Sequence, residues 1–277
     1  MSEVLVLGST GTTGSRVADV LRKWDVPARL ATRSPRSAGQ VRFDWAARET
    51  HAPALRDVSA VYLVAPVGEI DPVPLIEPFL AEARRQGVRR VVLLSSSAMP
   101  EGVPPLGVVH GLIRATVPEW AVLRPSWFMQ NFTGEHSAAI GVRAGEIVSA
   151  TGAARVAFID ADDIAAVAAH ALTDQVPHNT DHVLTGPEAL GYAEAAEIIG
   201  TWTGTPVRHR SLSTEDLAAH LTRTGLPAEF AVFLAALDED IRGGAEDRVT
   251  DAVERITGRP PRGFREFVEA EFRPGGS

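Results

Sequence analysis

Three glycines spaced three residues apart lie near the start of the chain, between a short apolar run and a helical pattern. They belong to the segment Gly8-Ser9-Thr10-Gly11-Thr12-Thr13-Gly14. Glycine permits a tight turn and a close approach of the backbone to a pyrophosphate, and the N–H groups that begin the next helix favour negative charge. The spacing departs from the common Gly-x-Gly-x-x-Gly fingerprint, so the strand-to-helix context carries the argument. Residues 8–14 are therefore predicted to hold a dinucleotide pyrophosphate.

The residues after the predicted second strand indicate which dinucleotide binds. An acid there binds the ribose 2′-hydroxyl of NAD, whereas arginine accommodates the 2′-phosphate of NADP. This chain has Arg33, Ser34 and Arg36 and no acid. A guanidinium meets phosphate as a planar fork, so NADP(H) is the predicted cofactor, with two solvated arginines as the alternative. Asp44 and Trp45, after the third predicted strand, are expected beside the adenine, although Asp44 would also suit a turn.

Two scarce residue types limit the proton chemistry. Lys23 is the only lysine, and Tyr62 and Tyr192 are the only tyrosines. Many dinucleotide-dependent reductases use a Tyr-x-x-x-Lys pair, in which the lysine lowers the pKa of the tyrosine that protonates an alkoxide. Here Pro66 and Ala196 stand four residues after the two tyrosines. The pair therefore cannot exist in this chain.

His110, Ser96 and Ser97 remain as candidate catalytic residues. His110 is the one titratable residue in the segment 105–111, and an imidazole pKa near 6.5 suits a general acid, with a serine as relay. Two other interpretations stay open. The acceptor needs no proton when hydride arrives, as for an iminium carbon or a quinone-like system, or these side chains only pack and cap the backbone.

These residues require elements that bring them together. Short apolar runs alternate with helical patterns in the first half of the chain, which is typical of βαβ units. Strands are predicted at residues 4–7, 28–32, 41–43, 58–65, 88–94, 120–123 and 182–184. Helices are predicted at residues 15–24, 72–86, 162–172, 192–202, 216–223, 230–241, 249–256 and 264–272. The expected fold is α/β: a doubly wound, Rossmann-like parallel sheet over residues 1–185, with a smaller, mostly helical substrate-binding part over residues 186–277.

Composition narrows the classes of partner. The 277 residues carry a formal net charge of −8, which argues against nucleic acid or an anionic membrane surface. No apolar run approaches the roughly 18 residues of a membrane span, and the first residues lack the basic start of a signal peptide. We expect a cytoplasmic monomer or homodimer that acts on a small-molecule substrate.

A metal site is not predicted. Cysteine is absent, and His178 and His182 lie in a loop-like stretch without an evident third ligand. The acidic run Asp238-Glu239-Asp240 is expected to form a solvated helical face.

Several motifs together resemble the NmrA-like group of atypical short-chain dehydrogenases. They are the glycine segment 8–14, Phe43-Asp44-Trp45, Ser95-Ser96-Ser97, and Leu123-Arg124-Pro125-Ser126-Trp127-Phe128-Met129-Gln130-Asn131-Phe132. Phe158-Ile159-Asp160, Asp163-Ile164-Ala165 and residues 257–261 extend the similarity, which runs from residue 3 to about residue 272. The chain is most similar to the branch with ergot-alkaloid reductases that act on iminium intermediates.

The resemblance implies further site residues. The nicotinamide would lie near Ala65, Pro66, Ser95, Pro125, Trp127 and Phe128. The substrate would contact Met99, Trp127, Phe128, Met129 and Asn131, although core packing is an equal alternative for at least one of the apolar side chains. The implied function is an NADPH-dependent reductase that transfers hydride to a small iminium, imine or quinone-like acceptor in specialised metabolism. The family also implies two alternatives, namely a non-enzymatic NADP(H) sensor and a cyclase or isomerase.

Overall fold

The computed structural model describes residues 3–272. The strands are β1 (Glu3–Val6), β2 (Ala28–Thr32), β3 (Gln40–Arg42), β4 (Val58–Val64), β5 (Arg90–Leu94), β6 (Glu119–Pro125), β7 (Glu146–Ser149), β8 (Arg155–Val156), β9 (Thr180–Leu184), β10 (Leu190–Gly191) and β11 (Arg208–Ser211). The helices are α1 (Thr12–Lys23), α2 (His51–Leu55), α3 (Val73–Arg85), α4 (Leu106–Thr116), α5 (Ser137–Ala144), α6 (Ala161–Thr173), α7 (Tyr192–Thr203), α8 (Thr214–Arg223), α9 (Ala228–Arg242), α10 (Ala252–Thr257) and α11 (Phe264–Glu271). Short 3₁₀ turns span Arg48–Thr50 and Met129–Phe132.

A seven-stranded sheet in the order β3-β2-β1-β4-β5-β6-β9 organises the fold. Every neighbouring pair in it is parallel. The chain winds outward from β1 in both directions, so the strand order reverses between β1 and β4. Ligands of doubly wound sheets bind beyond the carboxyl ends of the strands at such a switch point. The predicted Rossmann-like fold class is confirmed.

The chain forms two compact units. The first contains the described residues up to 125, together with 161–184 and 252–259. The second contains residues 126–160, 185–251 and those from 260 onward. The chain therefore passes between the units after residues 125, 160, 184, 251 and 259. The boundary predicted between residues 185 and 186 falls beside one of these five points.

The parallel sheet of the first unit is covered on both faces. Val61 and Leu63 of β4 belong to an apolar core that includes side chains of α3 and α4. Side chains alternate along a strand, so Tyr62 points to the opposite face, where α1 and α6 pack on the strands. Burial on both faces explains why these strands appear in the sequence as continuous apolar runs.

The helix α4 was absent from the sequence-based prediction. Its residues include two glycines and several β-branched side chains, all of which lower intrinsic helix propensity. Gly107 is needed for packing, because a Cβ atom there would lie 2.0 Å from the carbonyl oxygen of Pro100. The low propensity of these residues is overcome by the burial of Val109, His110 and Ile113.

The second unit has an aromatic core. Phe132 contacts Phe158, Phe264 and Tyr192, with ring centroids 5.1, 5.1 and 5.9 Å away. Helices dominate the unit, as predicted, but two small sheets also occur in it: β7 pairs with β11 and β8 with β10. These strands have only 2–4 residues each, too few for an alternating pattern to be recognised.

Within the acidic run 238–240, Glu239 and Asp240 are exposed as expected, but the expectation was wrong for Asp238. It is half-buried, and its carboxylate accepts a hydrogen bond of 2.7 Å from the backbone N–H of Ala150. Burial raises the pKa of Asp238 to about 6. Helical periodicity identifies faces of a helix but does not show which segment of another element covers them.

No helix among residues 3–272 has the length and hydrophobicity that a membrane crossing requires.

Candidate active site

The glycine segment forms the turn that its spacing predicted, between β1 and α1. Gly8 has a φ of +62°, which L side chains rarely adopt. Its carbonyl oxygen accepts a hydrogen bond of 2.8 Å from the N–H of Gly11. At Gly14 a Cβ atom would stand 2.2 Å from the same oxygen. The first and third glycines are thus required by backbone geometry alone.

Neighbouring strands hold this turn in place. The Ser9 hydroxyl is buried and donates 2.8 Å to the carbonyl of Ala31 at the end of β2. The N–H of Leu7 donates 3.0 Å to the carbonyl of Tyr62 in β4. No side chain in the described part of the chain caps α1, and its first turn holds no acid. The free N–H groups and the positive end of the helix dipole fit a pyrophosphate.

The end of β2 presents the predicted cationic residues to solvent. Arg33, Ser34 and Arg36 are all exposed. The side-chain oxygen of Gln40 accepts a hydrogen bond of 2.7 Å from the backbone N–H of Arg36. This bond closes the turn that follows β2. Within residues 3–272, neither guanidinium has an ion-pair partner. The arrangement fits a ribose 2′-phosphate, and the role of each residue stays a prediction.

Asp44 and Trp45 lie after β3, within a cluster of aromatic rings. The Asp44 carboxylate accepts 3.0 Å from the N–H of Ala46, as the turn interpretation expects. Trp45 packs edge-on against Phe43 and Phe79, at 5.1 and 5.2 Å between ring centroids. Adenine binding by Asp44 and Trp45 stays a prediction.

Ser95, Ser96 and Ser97 follow β5 at the carboxyl edge of the sheet, and Ala65 and Pro66 follow β4 at the same edge. The Ser95 hydroxyl is buried and has no hydrogen-bond partner among the described residues. Buried polar groups are nearly always partnered, so an orphan at a strand end marks a place where a ligand group could bind. Ser96 accepts 3.3 Å from the N–H of Ala98.

Arg124 supports the serine triplet and was not assigned a role from the sequence. Its guanidinium donates 2.9 Å to the carbonyl of Ser97 and forms an ion pair of 2.7 Å with Asp181 on β9. The guanidinium and its carboxylate partner are 57 residues apart in the chain, so no local pattern could have joined them.

His110 lies in the second turn of α4 and faces the sheet. Only 3% of its surface is exposed, and its ring lies 5.5 Å from that of Trp120. The Nδ1 atom is buried without a hydrogen-bond partner in the described chain. Burial lowers the pKa of His110, against the opposing charges of Glu101 and Asp181. The imidazole is therefore neutral at pH 7.

Segment 126–132 begins the second unit and pairs with Ile159 and Asp160. The N–H of Ile159 donates 2.9 Å to the carbonyl of Trp127, and the N–H of Met129 donates 2.8 Å to the carbonyl of Ile159. The buried Asp160 carboxylate accepts a hydrogen bond of 2.8 Å from the side-chain amide of Gln130 and forms an ion pair of 2.8 Å with Arg262. The family motifs at residues 123–132 and 158–160 thus meet in one place, together with Arg262, which lies one residue beyond the motif at residues 257–261.

The predicted substrate residues differ in exposure. Trp127, Phe128 and Asn131 are half-buried, whereas Met129 is fully buried in the apolar core of the second unit. Met99, in the first unit, is 6% exposed. Core packing accounts for Met129 in this structure, and substrate contact by the others stays a prediction.

Ser126 and Glu246 form a buried pair that the sequence did not suggest. The Ser126 hydroxyl donates 3.0 Å to the Glu246 carboxylate, and each residue is 2% exposed. Ser126 directly follows the last residue of β6, and Arg248 lies 3.5 Å from the other carboxylate oxygen of Glu246. Nothing in the local sequence distinguishes Glu246 from a solvated acid.

Relatives cover nearly the whole chain. An uncharacterized oxidoreductase of Bacillus subtilis (strain 168), YesF, is 49% identical over 271 residues, which cover 96% of this chain and 94% of that protein. Festuclavine synthase II of Penicillium roqueforti (strain FM164) is 38% identical over 284 aligned residues, covering 97% of this chain and 98% of that protein. No protein-family model matches the chain.

A solved structure confirms the fold. The NADPH-dependent quinone oxidoreductase of Escherichia coli, complexed with NADPH, superposes with a TM-score of 0.84 at 23% identity, covering 99% of this chain and 100% of that one. The similarity inferred from the motifs is confirmed by the relatives, and so is the predicted enzyme class. The chain belongs to the NmrA-like group of atypical short-chain dehydrogenases and reductases, a family of NAD(P)-dependent oxidoreductases.

Proposed function

We propose that this protein is an NADPH-dependent reductase that delivers hydride to an iminium, imine or quinone-like acceptor in specialised metabolism. The supporting observation is the burial of the two tyrosines. Both are buried, which raises the pKa of Tyr62 and of Tyr192, and Lys23 is exposed at the end of α1. A tyrosine activated by lysine is therefore not available to protonate an alkoxide.

The neutral state of His110 points the same way. An imidazole whose pKa is lowered by burial holds no extra proton at pH 7. An iminium carbon is already positive and becomes a neutral amine when hydride arrives. A quinone spreads the incoming charge and takes its proton from water. Both acceptors suit a site without a strong acid.

The protein contributes binding and orientation. The N–H groups of the glycine turn hold the pyrophosphate, Arg33 and Arg36 hold the 2′-phosphate, and Ser95 offers its hydroxyl at the strand ends. When bound, NADPH supplies the hydride. Holding the two reacting carbons in a near-attack geometry contributes on the order of 7–11 kcal/mol.

A comparison of three acceptors tests the proposal. Loss of nicotinamide absorbance is followed with a preformed cyclic iminium, a para-quinone and an aldehyde, in the wild type and in His110→Ala. We expect oxidation with the first two, changed less than about twofold in the variant. If His110 is an acid, aldehyde reduction by the wild type is substantial, and the substitution lowers it by roughly 10²-fold.

Two outcomes contradict the proposal. NADPH binding without oxidation by any acceptor would favour the sensor. A large loss of iminium reduction in His110→Ala, with the melting temperature unchanged, would show that a protein proton is needed.

A further inference from the structure

The Tyr62 hydroxyl is a buried polar group that the proposed chemistry does not use. Tyr62 lies within β4 and is 0% exposed. Its hydroxyl oxygen has no hydrogen-bond partner among residues 3–272. A phenylalanine would fill the same space without burying this group, so packing alone does not explain a tyrosine here.

The hydroxyl faces the glycine turn. Thr13, in the first turn of α1, is 4% exposed. Its side chain interacts with the Tyr62 hydroxyl and partly opposes the rise of the Tyr62 pKa caused by burial. The Thr13 side chain is thus near enough to act on the Tyr62 hydroxyl, although that hydroxyl has no partner with hydrogen-bond geometry among the described residues.

The same strand supports the turn through its backbone and its next inward side chain. The carbonyl of Tyr62 accepts 3.0 Å from the N–H of Leu7. A Cβ atom at Gly8 would lie 3.4 Å from the side chain of Val64. β4 therefore backs the turn at Leu7, Gly8 and Thr13, and Tyr62 takes part in two of these contacts.

We propose that Tyr62 is a positioning residue for the pyrophosphate-binding turn. Its hydroxyl completes a hydrogen bond with the Thr13 hydroxyl when a dinucleotide binds at the turn. That bond fixes the first turn of α1 against β4 and aims its N–H groups at the pyrophosphate. The inference rests on the cofactor part of the proposed function and is independent of the acceptor.

Binding measurements test this role without turnover. Tyr62→Phe is expected to raise the Kd of NADPH about 3- to 10-fold, the effect of one hydrogen bond. The Kd of NADH should rise by the same factor, because both dinucleotides share the pyrophosphate. At saturating NADPH, kcat should stay unchanged. Tyr192→Phe is the matched control: it removes the other tyrosine hydroxyl, in the second unit, and should leave both Kd values unchanged.

A double substitution distinguishes a direct interaction between the Tyr62 and Thr13 hydroxyls from a general loss of order in the turn. If the two hydroxyls act on each other, Tyr62→Phe should have little further effect on the Kd of NADPH in a Thr13→Val background. Additive effects of the two substitutions would overturn the proposed coupling. The melting temperature without cofactor should be unchanged or higher in Tyr62→Phe, since an unpartnered buried hydroxyl has been removed.

The outcomes separate this inference from the proposed function. A wild type that does not bind NADPH contradicts the proposed function. A wild type that binds NADPH, with a Tyr62→Phe variant that binds it equally well, overturns the positioning role alone.

Discussion

At the scale of single residues, the exposed guanidinium of Arg33 is the clearest determinant of cofactor choice. Arg33→Ala should weaken NADPH binding roughly 10- to 150-fold, because hydrogen bonds between charged groups contribute about 1.5–3 kcal/mol. NADH binding should change little. Titration of both dinucleotides measures the ratio of the two Kd values.

Arg84→Ala serves as the control for Arg33→Ala, because Arg84 is a similarly exposed arginine in α3. It should leave both Kd values unchanged. Equal weakening of NADPH and NADH in Arg33→Ala would remove Arg33 from the phosphate site.

Residue types and local order were sufficient to predict the glycine turn between β1 and α1 and the position of Arg33 and Arg36 directly after β2. They were insufficient for Arg124 and Glu246. Arg124 pairs with Asp181, 57 residues away, and Glu246 accepts a hydrogen bond from Ser126, 120 residues away. Such contacts depend on which segments the fold brings together, and one sequence does not contain that information locally.

At the scale of elements, a chain of polar side chains links the end of α6 to β9. The Asp174 carboxylate lies 3.2 Å from Nδ1 of His170 and 3.1 Å from Nε2 of His178. The Nδ1 atom of His178 lies 3.0 Å from Nε2 of His182. Burial is the largest cause that lowers the pKa of His182 to about 4, and the nearby charges of His178 and Arg255 contribute in the same direction. His182 therefore stays neutral in the folded protein under mildly acidic conditions.

This arrangement predicts a loss of stability in acid. In the unfolded chain His182 gains a proton below its ordinary pKa of 6.5, but in the folded protein only near 4. The free energy of unfolding should therefore fall as the pH drops from 6.5 toward 4, by about 1–3 kcal/mol from this residue. Urea unfolding at several pH values measures the slope of the free energy of unfolding against pH, which His182→Gln should reduce.

His220→Gln, at a half-buried position on α8, is the control and should change this slope less. An unchanged slope in His182→Gln would show that His182 is not its source.

Elements with strong patterns were predicted to within a few residues, as in β2 and α7. Failures occurred where tertiary contacts override local propensity. In α4 the low helix propensity of glycine and β-branched residues is overcome by packing on the sheet. The strands β8 and β10 are so short that they exist only because they pair with each other.

At the scale of the whole molecule, the pH dependence of stability combines opposing contributions from the two units. Asp238 in the second unit has its pKa raised from 3.8 to about 6 by burial. The folded protein therefore holds this proton more tightly than the unfolded chain, and the contribution of Asp238 to stability is lost as the pH rises from about 4 to about 6. His182 in the first unit has the opposite dependence over an overlapping range.

A substitution that removes the titrating carboxyl group of Asp238 should leave the opposite contribution of His182 uncompensated. Asp238→Asn keeps an oxygen that can accept the N–H of Ala150. It should raise the free energy of unfolding at pH 7 by about 1–2 kcal/mol and steepen the loss of stability in acid. Glu239→Gln, at the exposed neighbouring position, should leave the pH profile unchanged. A lower stability of Asp238→Asn at pH 7 would show that the carboxylate is needed in its charged form.

The interleaved path of the chain limits how this protein can be divided. α10 packs against α6 and β9, although more than 65 residues of the second unit precede it in the sequence. A gene truncated after codon 185 would encode the parallel sheet without this helix, and the remaining 3′ fragment would carry the helix without its sheet. Swapping acceptor specificity between relatives by exchanging one C-terminal fragment would therefore break both units, so chimeras need several junctions placed at the crossings of the chain.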